Sequence, residues 1–290
     1  MDRRGQDEAR TAEPPVDPAG SEGGSRGVIA STGFVGGIVG GLIGGGAGVL
    51  YVPALDRFTG MSRARAHGTS TIAQIGLCVA GVATYAVRGG ALDLRVGLGM
   101  LVGATFGGLL GPWLLARTRD TVLRVLLIAI LVLTAAKFAL DAFGPALSDH
   151  AVVPAGVLAD LWFFVPATLL AGLVVGAWSG AMGLGGGLLA VPAMVLLFGV
   201  ELHVAAGTSL LVFIPNSVVG GWVHVRQGTA SAWWGWLLGL TAVPGVVVGA
   251  VLGLALETEV LGLIFGAVAL LMAVREIVVL VRRRQASRLP

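Results

Sequence analysis

The chain carries the same glycine-rich pattern twice: Gly44-Gly45-Gly46-Ala47-Gly48-Val49-Leu50-Tyr51-Val52-Pro53 and Gly183-Leu184-Gly185-Gly186-Gly187-Leu188-Leu189-Ala190-Val191-Pro192. Each copy predicts two short helices joined by an irregular turn, because successive glycines interrupt a helix. An unpaired backbone amide costs several kcal/mol in hydrocarbon, so irregular backbone in a membrane lies against protein or a water-filled cavity. Two such turns indicate a transport site within the membrane.

Composition identifies the chain as a multi-pass membrane protein. Hydrophobic residues make up 56% of the 290 residues and charged residues only 12%, unlike an ordinary soluble domain. The 47 glycines suit closely packed membrane helices, and glycines recur every four residues at 103, 107 and 111 and at 245, 249 and 253. The single cysteine, Cys78, excludes a disulfide framework and a cysteine-rich metal site. We expect the lipid bilayer as surroundings, with no metal, no cofactor and no nucleic-acid partner.

The apolar segments divide the chain into two halves. Six segments have the ~20–25 residues that one crossing needs, and the two segments that contain the glycine turns are longer. The predicted divisions are a disordered cytoplasmic tail over 1–27, a first membrane repeat over 28–142, an extracytoplasmic connector over 143–160, a second membrane repeat over 161–281, and a basic cytoplasmic tail over 282–290.

The two halves are predicted to be duplicates. A shift of about 139 residues aligns Gly68-Thr69-Ser70 with Gly207-Thr208-Ser209 and Pro53 with Pro192, and it gives about 19 identities over about 55 positions. If every apolar segment crossed once, the loop arginines would lie opposite the C-terminal arginines, against the positive-inside rule. If each glycine-broken segment enters and leaves on one side, as a re-entrant hairpin or as two short spans, those arginines and both termini are cytoplasmic.

With that topology each half makes an odd number of full crossings, so the halves are inverted. The predicted fold is an all-α polytopic membrane protein of two inverted repeats, each a glycine-broken helical hairpin plus three transmembrane helices. This is the layout of secondary transporters, whose binding site lies near the membrane midplane between the repeats.

The glycine turns are the first candidates for binding a substrate. A helix that starts at such a turn directs unpaired amides and the positive end of its dipole into the cavity, which favours an anion. The alternative is that these glycines only permit tight helix packing. The candidate substrate-binding glycines are Gly45, Gly46, Gly48, Gly185, Gly186 and Gly187.

Polar side chains in the following spans are the other candidates. Hydroxyls in the first turn of a span either bind an oxyanion or bond back to the preceding turn. Amides in the middle of an apolar span either contact a ligand or bond between helices. The hydroxyl candidates are Thr69, Ser70, Thr208 and Ser209, and the amide candidates are Gln74 and Asn216.

Three further residues receive less direct interpretations. His67 titrates near neutral pH and is a candidate for proton coupling, or else a solvated side chain at the membrane interface. Cys78 is interpreted as a small core residue. Glu276, which aligns with Lys137, is expected to reach the membrane interface along its own helix.

The doubled motif resembles the TauE/SafE sulfite exporter family, also called the TSUP family of anion transporters. The resemblance rests on Gly44 to Pro53 and Gly183 to Pro192, each trailed about 15 residues later by Gly-Thr-Ser. Ala47 departs from the pattern in the first copy, and Ala206 stands where the first half has His67. The resemblance implies transport of sulfur-containing anions such as sulfite, thiosulfate or organosulfonates across the bacterial cytoplasmic membrane.

We therefore interpret the chain as a secondary transporter, an exporter of such anions coupled to an ion gradient. The alternatives are a passive anion channel and a transporter of a non-sulfur anion such as a carboxylate. A membrane enzyme is disfavoured, because the four histidines are scattered without the spacing of metal ligands. The sequence leaves open which anion and coupling ion are used, the direction of transport, and the oligomeric state, a homodimer included.

Overall fold

The computed structural model describes residues 22–115, 120–143, 160–182 and 187–286, and within these ranges all regular secondary structure is helical. Seven of the helices are long and apolar enough to cross a membrane. The predicted all-α, multi-pass fold is thus confirmed. The helices are α1 Glu22–Ile43, α2 Gly48–Thr59, α3 Arg63–Gly89, α4 Leu94–Leu115, α5 Asp120–Phe143, α6 Leu161–Met182, α7 Gly187–Phe198, α8 Leu202–Arg226, α9 Ala232–Ala255 and α10 Thr258–Ala286.

The first and last helices run past the predicted ends of the membrane repeats, and the divisions themselves stay a prediction. Helix α1 already begins at Glu22, inside the predicted tail 1–27, and α10 continues to Ala286, inside the predicted tail 282–290. Residues 1–21 and most of the connector 143–160 lie outside the described residues. Hydropathy marks where a helix enters lipid, whereas helical hydrogen bonding continues into polar residues, since arginine and glutamate are good helix formers.

Helices α1 and α2 form an antiparallel hairpin around the first glycine turn. The Tyr51 hydroxyl on α2 donates a hydrogen bond to the Gly33 carbonyl on α1 at 3.3 Å, and the Tyr51 ring lies against Gly36. The 12 residues of α2 are about 18 Å long, well short of the ~30 Å hydrocarbon core. The first broken segment therefore folds back on itself. Its repeat counterpart α7 also has 12 residues.

The two halves pack against each other through two equivalent helix pairs. Helix α1 packs along α9, and the repeat-equivalent α6 packs along α4. In the first of these contacts Gly245 and Gly249 of α9 lie against the backbone of α1 at Phe34 and Ile38. In the second, Gly103 and Gly107 of α4 lie against the backbone of α6. The four-residue glycine spacing thus serves close helix packing, as predicted.

Helices that are equivalent in the two halves run antiparallel where they meet. At the α3–α8 contact Gly68, near the start of α3, lies against His224, near the end of α8, while Gly207, near the start of α8, lies against Tyr85, near the end of α3. At the α5–α10 contact Arg124, early in α5, pairs with Glu276, late in α10. Both pairs of equivalent helices therefore cross in antiparallel fashion.

The expectation that Glu276 reaches the membrane interface is wrong. Its side chain is only 7% exposed and forms an ion pair with Arg124, whose side chain is 13% exposed. Because α5 supplies a positive partner at the same depth, the carboxylate is held between the two helices instead of extending to water. On the outside of the bundle, by contrast, the described surface is apolar, with Leu170, Leu240 and Leu271 each more than 60% exposed.

Candidate functional site

The first glycine turn has a backbone that only glycine adopts without strain. Gly44, Gly45 and Gly46 have φ angles of 76°, 113° and 88°, three consecutive residues with positive φ. Any other residue pays about 1–2 kcal/mol at each such position. The turn ends α1 at Ile43 and starts α2 at Gly48 within a few residues.

The start of α2 presents backbone amides that have no partner among the residues that the structure describes. The amides of Val49, Leu50 and Tyr51 donate to carbonyls of the turn at 2.9–3.2 Å. Among the described residues, none accepts a hydrogen bond from the amides of Gly46, Ala47 and Gly48, and no side chain caps the helix. Amides without an acceptor, together with the positive end of a helix dipole, generally favour negative charge.

The first turn rests against the second half of the chain. A Cβ on Gly187, the first residue of α7, would lie 2.8 Å from the Cα of Gly45. The Ser209 hydroxyl of α8 donates a hydrogen bond to the Gly44 carbonyl. The start of the second short helix therefore meets the turn before the first short helix. Residues 183–186 of the second turn, with the predicted Gly185 and Gly186, lie outside the described residues.

A small cavity lies where the turn, α3, α7 and α8 meet. Its volume is about 10 Å³, the room that one water molecule needs. It lies beside the middle of both α3 and α8. The lining residues are Gly44, Gly45, Gly46, Ala47, Gln74, Leu77, Cys78, Gly187, Leu210 and Phe213.

Four of the predicted substrate-binding residues line this cavity, and one adjoins it. Gly45, Gly46, Gln74 and Gly187 are lining residues, and Gly48 carries one of the unpaired amides beside the cavity. Sequence reasoning missed the role of Cys78, which is buried as expected of a core residue but also lines the cavity. The signal was available, because Cys78 follows Gln74 by one helical turn and shares its face of α3.

The predicted hydroxyl residues are buried and bond to protein groups. Thr69 accepts a hydrogen bond from the Ser231 amide, and Thr208 accepts one from the Asp93 amide, both at 2.9 Å. Ser70 donates to the His67 carbonyl at 2.9 Å. Ser209 donates to the carbonyl of Gly44, which is one of the residues that line the cavity. Direct binding of an anion by these hydroxyls stays a prediction.

Asn216 and His67 lie away from the lining of the cavity. Asn216 is on α8 with its side chain against Gly108 of α4. His67 is half-buried in the first turns of α3, and its carbonyl accepts hydrogen bonds from the Ser70 and Thr71 hydroxyls. Binding by Asn216 and proton coupling by His67 stay predictions.

The residues that the structure describes contain no set of side chains that could bind a metal ion. Among them, no three side chains of histidine, cysteine, aspartate or glutamate come together in a group that could hold a metal ion. The cavity itself is lined by backbone, one amide side chain, one thiol and apolar groups.

Comparison with known proteins agrees with the resemblance carried by the glycine motifs. The chain is similar to the probable membrane transporter protein YunE of Bacillus subtilis (strain 168), with 40% identity over 86 residues. That match covers 30% of this chain and 30% of the relative. No solved structure matches the chain.

The family comparison covers far more of the chain. The family model described as "Sulfite exporter TauE/SafE" matches residues 5–138 and 168–289, which include both glycine motifs and both Gly-Thr-Ser motifs. Since both halves match, and the described helices form a multi-pass membrane protein, the chain belongs to the sulfite exporter TauE/SafE family of membrane transporters.

Proposed function

We propose that the protein is a secondary transporter that exports small sulfur-containing anions, such as sulfite, thiosulfate or organosulfonates, across the cytoplasmic membrane, driven by an ion gradient. The observation that carries the proposal is that the amides of Gly46, Ala47 and Gly48 have no acceptor among the described residues and lie beside a cavity between the two halves. Anions bind at such helix starts, because the amides and the dipole attract negative charge. The sulfur content of the substrate is what the family description supports.

The lining of the cavity favours binding that is weak enough to reverse. No lysine or arginine is among the lining residues, and the Gln74 amide is the strongest polar side chain there. Partial charges on amides hold an anion less firmly than a buried guanidinium would, and transport requires that the anion also leaves. Leu77, Leu210 and Phe213 surround these donors with apolar groups, which strengthens their electrostatic attraction.

We also infer that the halves are inverted, with both termini in the cytoplasm. The antiparallel course of the equivalent helices α3 and α8, and of α5 and α10, supports the inversion. Arg57, Arg63 and Arg226 lie at the helix ends that would face the cytoplasm under the positive-inside rule. Asp93, Glu201, Glu257 and Glu259 lie at the opposite helix ends.

The small volume of the cavity favours a carrier over an open channel. Sulfite has four non-hydrogen atoms and water has one, so sulfite needs more room than the present ~10 Å³. Binding must therefore be accompanied by a widening of the cavity and an opening toward one side of the membrane. A conformational step of this kind belongs to alternating access.

Flux measurements on purified protein in liposomes test the proposal. We expect saturable transport of radiolabelled sulfite or thiosulfate, with acetate as a carboxylate comparison, and accumulation against the anion gradient when a proton or sodium gradient is imposed. Flux that never saturates and ignores every imposed ion gradient would identify a passive channel. Saturable flux of acetate with none of the sulfur anions would overturn the proposed substrate class.

A further inference from the structure

The two Gly-Thr-Ser motifs make reciprocal contacts between the halves. At the start of α3, Thr69 accepts the Ser231 amide at 2.9 Å, and Gly68 lies against the Thr229 carbonyl. We name this contact the Thr69 clasp. It joins α3 of the first half to the start of α9 in the second half, because Ser231 is the residue before α9.

The second contact repeats the first with the halves exchanged. At the start of α8, Thr208 accepts the Asp93 amide at 2.9 Å, and Gly207 lies against the Ala91 carbonyl. We name this contact the Thr208 clasp. It joins α8 to the start of α4, and the Asp93 carboxylate caps that start by accepting the Val96 amide at 3.0 Å.

The two clasps lie at opposite ends of the bundle. Thr69 is in the first turns of α3, whereas the loop of the Thr208 clasp follows the end of α3 at Gly89. About 20 residues of helix separate them, which is about 30 Å, or the thickness of the hydrocarbon core. The Thr69 clasp adjoins the end of α8 that carries Arg226, and the Thr208 clasp adjoins Glu201.

The cavity lies between the clasps. Gln74 and Cys78 occupy the middle of α3, roughly equally far from both ends. Both clasps are formed, and the cavity has room for only about one water molecule. The cavity as described is too small for an anion, so we infer that one end must open to admit one.

We propose that the Thr69 clasp is the cytoplasmic gate of the transport path and the Thr208 clasp is the outer gate. The inference rests on the proposed function insofar as the cavity between them is the anion site. Each clasp holds a loop of one half against a helix of the other, so opening one clasp separates the halves at that end. The repeat makes the two gates equivalent, which is what alternating access between two inverted states requires.

Each clasp depends on one hydrogen bond, which is weak enough to break and re-form during transport. Loss of one hydrogen bond between a hydroxyl and an amide shifts an equilibrium by about two- to tenfold. A glycine without a side chain lets the loop carbonyl come close, so the contact forms without interlocked side chains that would resist opening. Removing either hydroxyl should raise the population that is open at that end and leave the other end closed.

Cys78 provides the reporter for the test, because it is the single cysteine of the chain and lines the cavity. We would measure how fast a membrane-impermeant methanethiosulfonate reagent modifies Cys78 in right-side-out and in inside-out vesicles. Thr69→Val should accelerate modification about two- to tenfold from the cytoplasmic face alone. Thr208→Val should do so from the outer face alone. Thr69→Ser and Thr208→Ser, which keep the hydroxyl, should label like the wild type.

Thr84→Val is the matched control. Thr84 is a buried threonine on α3 whose hydroxyl bonds only within its helix, to the Ala80 carbonyl at 2.8 Å, so its loss should leave labelling unchanged. If a Thr→Val variant does not elute as a single monodisperse peak in detergent, the corresponding Thr→Ala variant is used instead. Equal acceleration from both faces by either variant, or none from any face, would overturn the assignment of the gates.

Anion flux measured on the same vesicles separates the two proposals. One-sided labelling without transport of any tested anion would support the gates and reject the proposed substrate class. Normal saturable sulfite transport by variants that label like the wild type from both faces would support the transporter and reject the gates.

Discussion

Replacing Gly44 by alanine tests whether the packing of the first glycine turn positions the amides of the anion site. Gly44 has a φ angle of 76°, and a Cβ there would lie 2.6 Å from the Cα and the carbonyl oxygen of Ala206 on α8. Gly60 provides a matched control, since its φ angle is 66° and a Cβ there would meet nothing within 4 Å. Both substitutions carry the same backbone strain, and only one carries a steric clash.

The free-energy costs of the backbone strain and of the steric clash can be told apart. A left-handed backbone costs a residue with a side chain about 1–2 kcal/mol in either variant. Carbon atoms in contact prefer about 3.5–4.0 Å, so Gly44→Ala must push the turn about 1 Å away from α8. Overpacking of this kind costs about 1–3 kcal/mol more, which corresponds to a further ~5- to 150-fold. The displaced turn also loses its hydrogen bond from the Ser209 hydroxyl.

The assay is the initial rate of sulfite transport at matched protein density in liposomes. We expect Gly60→Ala to stay within a few-fold of the wild type and Gly44→Ala to lose a further ~5- to 150-fold relative to Gly60→Ala, although both insert into the membrane. If the two variants transport at equal rates, the contact between the turn and α8 does not position the site, and the reasoning fails.

Three further substitutions test other contacts. Ser209→Ala removes the hydroxyl that holds the first glycine turn, at a cost of about 1 kcal/mol, so the KM for the anion should rise about fivefold; an unchanged KM would contradict this role. Glu276→Leu leaves Arg124 without its carboxylate partner, so the free energy of unfolding in detergent should fall by about 3–5 kcal/mol. Replacing both residues by leucine should restore most of that loss. An equal loss in the single and double variants would argue against the ion pair. Gly249→Ala places a Cβ 2.8 Å from a backbone carbon of α1, so the yield of folded protein should fall. The control Gly266→Ala, whose nearest Cβ contacts are at 3.6 Å, should leave the yield unchanged. Similar yields of the two variants would show that α1 and α9 can move apart freely.

Features encoded within a short stretch of sequence were predictable. Three glycines in succession, Gly44 to Gly46, indicated a break, and the structure places a turn there with positive φ at each. The duplication extends to helix ends, because the aligned residues Gly60 and Gly199 both have a φ angle of 66°. Glycine spacing of four residues indicated close packing, since it places a flat stripe on one helix face.

Features that depend on contacts between distant residues were not predictable. Thr69 and Thr208 were interpreted as anion ligands or as residues bonded within their own helices. Their partners are instead 162 and 115 residues away in the chain. Glu276 was misjudged for the same reason, since its partner Arg124 is 152 residues away. A local pattern shows that a polar group is buried in a membrane span, but only the fold shows what satisfies it.

The cavity combines a duplicated backbone with side chains that are not duplicated. The glycine motif occurs in both halves of the sequence, and in the first half its turn supplies backbone amides beside the cavity. The side chains are unequal: Gln74 aligns with Phe213, and both line the cavity. Exchange of conformation between the halves can therefore preserve the attraction for negative charge, because backbone amides supply it. We expect the preference for one anion over another to depend on the side chains that line the cavity with the turn, so substitutions at Gln74 and Phe213 should change it.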